Sequence, residues 1–281
     1  MINFNGDLIQ DSSFISSENR GYKYGDAVFE TIKVVHGKLL FWEDHYFRLM
    51  ASMRIMRMDI PMSFTMEFLE EEILKTLEAN SLLKSTARVR FNIDRGDGGK
   101  YLPVGETVNY NVRVETFNED FYSISKDKSY AVDLYKDFFV SPGLLSTLKT
   151  NNKAINVLGS IYANENGWEN CLLLNTNKNV VEALNGNLFL VKGEMVKTPP
   201  LEDGCLKGVM RKQIMDVILN SGDYILEEAS ISPFELQKAD ELFITNVMVG
   251  IQPVLKYRKK EFSTKISEDL LKRLNTKLRL S

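Results

Sequence analysis

The chain has 281 residues, 44% hydrophobic and 26% charged, with seven prolines and a formal net charge of -3, so it is globular and long enough for two domains of common size. Lys and Arg alternate with Asp and Glu along the sequence, and the positive field that would gather nucleic acid or an anionic membrane is missing; a small-molecule partner is expected. Two cysteines, Cys171 and Cys205, cannot build a disulfide framework, and His36 and His45 stand without the Cys or carboxylate cluster of a zinc site, so no metal is expected either.

In chain order, the opening MINFNGDLIQDSS has neither the basic start nor the apolar stretch of an export signal, and no later run approaches a bilayer-spanning length. A cytoplasmic setting is expected. Asn5-Gly6 separates two short apolar runs, the composition of a tight hairpin turn. AVFETIKVVHGKLLFW gives two β-rich runs joined at His36-Gly37, and EDHYFRLMASMRIMRM switches to helical spacing with Tyr46, Leu49, Met50 and Met53 on one face. Arg48 rides on that helix. SFTMEFLEEEILKTLEAN predicts a second amphipathic helix with Phe68, Leu69, Ile73, Leu74 and Leu77 inward, and strands follow in TARVRFNID and NYNVRVETF. The polar NEDFYSISKDKS (118–129) is the linker candidate, and it sets a boundary near Asp120: 1–120 a small N-terminal α+β domain, 121–281 a larger C-terminal one.

The second part opens with the strand YAVDLY. NCLLLNTNKNVVEALNGNLFLVKGEMVKTPP then predicts a series of short strands with Asn, Lys and Gly turns. GVMRKQIMDVILNSG predicts a helix closed by Gly222; DELFITN and IQPVLKY are further strands, and SEDLLKRLNTKL closes the chain as a helix with Leu270, Leu271 and Leu274 on one side.

Between these stretches, LLSTLKTNNKAINVLGSIYANENGW places Lys149 at the end of a Ser/Thr-rich turn, just ahead of an amphipathic helix. An amine becomes a nucleophile toward carbonyl compounds when desolvation or neighbouring positive charge favours its neutral form, and a stiff turn can enforce that. Taken alone, one lysine among 35 Lys and Arg reads as wet surface. Likewise Glu182 alone reads as an outward-facing strand residue, Arg48 as a helix-surface arginine near Glu43 or Asp44, and Phe29 as core. The methionines of RLMASMRIMRMDIPM read as flexible core filler, and Cys205 as a structural thiol.

Six segments in order change that reading: NRGYKYGDAVFETIKV, HYFRL, LKTNNKAINVLGSIYA, VVEALNGNLFLVKG, TPPLEDGCLKGVMR and ADELFITNVMVGIQPV. Together they resemble the fold-type IV (class IV aminotransferase-like) pyridoxal-phosphate enzymes, among them branched-chain aminotransferases, D-amino acid aminotransferase and aminodeoxychorismate lyase. The resemblance implies an α+β fold of two domains, with a larger C-terminal pseudobarrel, pyridoxal 5'-phosphate as cofactor, and a homodimer. It implies that Lys149 is the Schiff-base lysine and proton shuttle, that Glu182 holds the pyridine nitrogen, and that Arg48 meets the phosphate. Gly208 would allow close approach while the N-H groups of Val209 and Met210 receive the phosphate at a helix start. Asn246 and Val247, with Met248 beside them, match the second loop at the phosphate and substrate side.

On the substrate side the resemblance points, less closely, to Phe29 and Glu30 approaching the cofactor face. It also makes Arg95 or Lys100 a candidate anion contact in the Gly-rich DRGDGGKYLP, a loop without the strand-Gly-helix context and Lys-Ser/Thr ending of a nucleotide cradle. That loop lacks the His of the D-amino acid aminotransferase carboxylate trap. Met210, where many aminotransferases of the class carry threonine, and Asn246 followed by apolar residues lean toward 4-amino-4-deoxychorismate lyase. A branched-chain or other amino acid aminotransferase is the alternative, and a non-catalytic protein on the same fold a further one.

Overall fold

The computed structural model describes residues 1–10, 15–124 and 129–280. They form two compact units, Met1–Asp120 with Lys149–Asn152, and Phe121–Leu148 with Lys153–Ser281. The tetrapeptide at Lys149 thus belongs with the N-terminal unit, although it lies beyond the boundary read near Asp120.

In the first unit, β1 (Ile2–Phe4) and β2 (Asp7–Ile9) turn at Asn5-Gly6, both with positive φ, as the hairpin composition requires. Helix α1 (Arg20–Tyr24) starts on the side chain of Asn19, which accepts from the Tyr22 N-H. Strands β3 (Ala27–Val35) and β4 (Lys38–Leu39) turn at His36-Gly37, also with positive φ. Helices α2 (Trp42–Ile55) and α3 (Met66–Ala79) follow, then the long strands β5 (Thr86–Arg95) and β6 (Val108–Thr116). The antiparallel sheet runs β2-β1-β6-β5-β3-β4.

Strand pleat sorts this sheet by parity. Val28 pairs with Ile93, Ile32 with Val89 and Val34 with Ala87, and these residues share one core with Leu49 and Met53 of α2 and Leu69, Ile73 and Leu77 of α3. Burying each such side chain contributes roughly 1.5–3 kcal/mol. The residues between them pair on the opposite face: Phe29 with Asn92, Thr31 with Arg90, Lys33 with Arg88. That face is polar and strongly cationic, and the alternation in ARVRFNID writes it into the sequence.

The second unit has β7 (Ala131–Val140), α4 (Ala154–Glu165), β8 (Asn170–Asn175), β9 (Val180–Ala183), β10 (Gly186–Lys192) and β11 (Met195–Thr198). It continues with α5 (Val209–Ser221), β12 (Ile225–Glu228), α6 (Pro233–Leu236), β13 (Glu241–Asn246), β14 (Gly250–Val254), β15 (Lys256–Tyr257), β16 (Lys260–Glu261) and α7 (Lys265–Leu280). One sheet runs β12-β11-β10-β9-β8-β7-β15-β16, and β10 also pairs with β13, which carries β14. The branch at β10 lets the strands curl around a core that includes Leu172, Leu188, Leu242 and Ile244. α7 buries Leu270, Leu271 and Leu274, and the Glu241 carboxylate caps its start by accepting from the N-H groups of Ile266 and Ser267. α4 departs from the expectation of an inward apolar face: its Val157, Leu158 and Ile161 are exposed, and only Gly159 and Ala163 are buried. Of the linker candidate, 125–128 lie outside the described residues, and Tyr122 is buried, its hydroxyl donating to the Val247 carbonyl at 2.8 Å.

Candidate active site

In the N-terminal unit, Lys149 is stitched to strand β3. Its carbonyl accepts from the Phe29 N-H at 2.9 Å, and the Asn151 N-H donates to the Ala27 carbonyl at 3.0 Å, flanking an antiparallel bridge between Val28 and Thr150. The half-buried Lys149 Nζ lies 4.6 Å from the Phe29 ring centroid, and the Arg90 guanidinium lies 3.8 Å from the same centroid. Arg90 also donates to Asn151 Oδ1 at 2.9 Å. Burial, then the charges of Arg88 and Arg113, push the Arg90 guanidinium below its ordinary pKa, the mark of positive groups crowded together. An amine and a guanidinium thus share one aromatic ring, an arrangement that could meet a carbonyl and an anion side by side.

Sequence reasoning missed Arg90. The signal was available: its parity with Phe29 follows from counting alternation along two strands, but the pairing register that puts the two side by side is a long-range fact.

Glu30 behaves differently from its neighbour Phe29. Adjacent positions of a strand point to opposite faces, so Glu30 turns under α2, fully buried, instead of lining the Phe29 face. There it accepts from Arg48 through both carboxylate oxygens and from His45 Nδ1 at 2.7 Å. Burial drives the Glu30 carboxyl up, but Arg48 and then His45 outweigh it and hold the group at about 2. Burial lowers the His45 pKa against the pull of Glu30, and among the described residues its buried Nε2 meets no partner. Arg48 is therefore positioned by a buried carboxylate and is no loose helix-surface arginine.

Arg95, expected as an anion contact, is consumed by the fold. It is buried and donates to Asp26 Oδ2 at 2.9 Å and to the carbonyls of Arg57 and Met56. Arg20 shares the same Asp26 oxygen and donates to the carbonyls of Gly98, Lys100 and Tyr101, fixing the Gly-rich loop from below. Lys100 itself is exposed.

In the C-terminal unit, Gly208 is the N-cap of α5, and the first turn carries no side-chain cap and no acid, which leaves its N-H groups and the helix dipole available to an anion. A Cβ on Gly208 would stand 2.0 Å from Asn187 Oδ1, so a side chain there would force Asn187 to move. Glu182 Oε2 accepts from the Leu206 N-H at 2.9 Å, and Asn187 Nδ2 donates to the Leu206 carbonyl at 2.8 Å, which ties the carboxylate to the turn that opens α5. Register places Glu182, Asn187 and Thr245 in a row on one face of β9, β10 and β13, and the buried Thr245 hydroxyl has no partner among the described residues. Asn187 and Thr245 were not singled out from the sequence because they join the row only through strand pairing.

Val209 and Met210 are buried in the first turn. Asn246 folds onto its own loop, its Oδ1 accepting from the Met248 and Val249 N-H groups at 3.0 and 3.1 Å, and Val247 and Met248 are half-buried in that turn. Cys205 beside this turn has its thiol pushed up to about 12, first by burial and then by Glu182, so it is no nucleophile.

The family model for amino-transferase class IV matches residues 27–257. A Methanocaldococcus jannaschii protein, provisionally named a branched-chain-amino-acid aminotransferase, is 28% identical over 99% of this chain and 95% of its own. The Vibrio harveyi aminodeoxychorismate lyase is 27% identical over 84% of each chain. Among solved structures, the branched-chain amino acid aminotransferase of Thermobaculum terrenum in its PLP form superposes with a TM-score of 0.83 at 20% identity, covering 97% of this chain and 92% of that one.

Proposed function

Because the chain belongs to the class IV aminotransferase family, we propose that it is a pyridoxal 5'-phosphate enzyme acting as 4-amino-4-deoxychorismate lyase, which releases 4-aminobenzoate and pyruvate. The residues fit that cofactor: the Gly208 cradle that a Cβ would fill, the uncapped start of α5 and the orphaned Thr245 hydroxyl suit a phosphate ester. When bound, it supplies a carbonyl that takes an amine and an electron-poor ring that accepts the electron pair of a carbanion.

The chain's own residues divide the remaining work. Lys149 is the amine that would hold the cofactor; in turnover its Nζ takes the proton from the substrate carbon bearing nitrogen and returns it to the leaving pyruvate. Glu182, fixed by the Leu206 N-H, keeps a negative charge for the pyridine nitrogen and holds a proton there. Arg48, braced by Glu30, would supply a guanidinium to the phosphate, and the N-H groups of Val209 and Met210 would supply donors to it. Arg90, on the same ring as Lys149, offers a guanidinium to a substrate carboxylate.

The observation that favours the lyase is Met210, buried in the first turn of α5 where a threonine hydroxyl would serve a transaminase. The alternative is transamination of a branched-chain or other amino acid, supported by the relatives named for it. The two part on co-substrate. Cofactor-loaded protein given aminodeoxychorismate and no 2-oxo acid is expected to release 4-aminobenzoate and pyruvate catalytically, and Lys149→Ala to release neither. Absence of both products, together with amino-group transfer once a 2-oxo acid is added, would replace the lyase with the transaminase.

A further inference from the structure

A second concave site lies in the C-terminal unit, among residues that the chemistry above leaves unused. It is a cavity of about 340 Å³ between β7, the end of β8, α6 and the β15-β16 turn, a size suited to a small metabolite. Its floor is the buried Leu134, Leu174 and Tyr257, and the rings of Phe139 and the exposed Phe234 form two walls.

The rim is cationic. Lys136, Lys178 and Arg258 line it, and no Asp or Glu does. Lys178 Nζ lies 3.3 Å from the Phe139 ring centroid, and the Arg258 guanidinium lies 5.1 Å from that of Tyr257, so both charges border the aromatic surface. Asp133 approaches Arg258 at 3.5 Å and offsets that charge only in part. Lys178 and Arg258 both occupy turn positions with left-handed φ, 66° and 54°, where glycine or asparagine would be less strained.

The geometry points to a binding site for a small aryl carboxylate, its ring on the apolar floor between the Phe139 and Phe234 walls and its charge among Lys136, Lys178 and Arg258. A bare phosphate would satisfy the cations and leave the apolar floor unused, and a neutral arene would do the reverse. The site is independent of whether the enzyme is a lyase or a transaminase.

Benzoate is the probe, titrated into methyl-labelled holoenzyme at low ionic strength, with shifts of the Leu134 and Leu174 methyl resonances as the readout. These two methyl-bearing residues line the cavity itself. Shifts saturating with a Kd of about 1 mM are expected, the affinity ordinary for a ligand of this size. They should weaken with added salt and be absent with isosteric, uncharged benzamide. The Lys178→Gln/Arg258→Gln double variant changes two exposed side chains and should bind about tenfold more weakly, with its circular dichroism unchanged. Unshifted Leu134 and Leu174 methyls at about ten times that Kd, an equal response to benzamide, or a double variant that binds as well as the parent would each overturn the proposal.

Discussion

Replacing Glu30 by Gln removes the charge around which His45 and Arg48 are arranged, while keeping the shape of the side chain. The Glu30 carboxyl falls from 4.5 to about 2 although burial alone would raise it. At roughly 1.4 kcal/mol per tenfold, the ionised form is favoured in the fold by about 3 kcal/mol. Because the folded pKa is depressed, this stabilisation is complete above about pH 4.5 and drains away as pH falls toward about 2. Urea unfolding in a Trp168→Phe background isolates the N-terminal unit, since Trp42 in α2 is then the only indole. At neutral pH, Glu30→Gln should unfold about 3 kcal/mol more easily, and the gap to the parent should narrow steadily on acidification. Equal midpoints at neutral pH, or a gap indifferent to acid, would refute the assignment of Glu30 as the charge that braces Arg48.

Gly208→Ala drives a methyl into Asn187, and cofactor affinity, followed by absorbance titration of the apoprotein, should drop at least about tenfold; unchanged affinity would remove the α5 start from the phosphate seat. Glu241→Ala leaves the first N-H groups of α7 and the Ser263 hydroxyl without their acceptor, at about 1–2 kcal/mol; the melting temperature should fall by a few degrees with activity spared, and an unaltered melting curve would contradict the cap. Arg95→Gln should lower thermal stability while leaving KM of the folded enzyme in place, and the reverse pattern, raised KM at unchanged stability, would restore Arg95 as a substrate contact.

Local chemistry carried most of the fold into view. The 3.6 period marked Leu49, Met50 and Met53, Asn5-Gly6 marked its own turn, and Gly222 ended α5 where expected, because each signal acts within a few residues. The candidate site could be proposed from sequence where a motif is contiguous, as at Gly208, Val209 and Met210, and less so where residues meet only because of which strand lies beside which. Arg90 meets Phe29 through β3-β5 pairing, and Thr245 meets Glu182 through two successive pairings, neither of which a single strand encodes. Glu30 and Phe29 were read as a pair because they are adjacent; the pleat separates them. Arg95 shows the converse limit, since a loop arginine looks available until the carbonyls of Met56 and Arg57 are found in its path.

The short bridge at Lys149–Asn152 has a bearing on biosynthesis. The first unit is assembled from two stretches of chain, and the second is only four residues long and arrives after some thirty intervening ones. A nascent chain ending at Asp120 holds all three helices and all six strands of that sheet, yet the main-chain groups of Ala27 and Phe29 still await Asn151 and Lys149. On the ribosome, the margin of β3 at Ala27–Phe29 therefore stays open until Lys149 and Asn151 have been synthesised, an interval in which a chaperone or a stray strand could pair with the same edge. Completion of the N-terminal unit and delivery of Lys149 are one event.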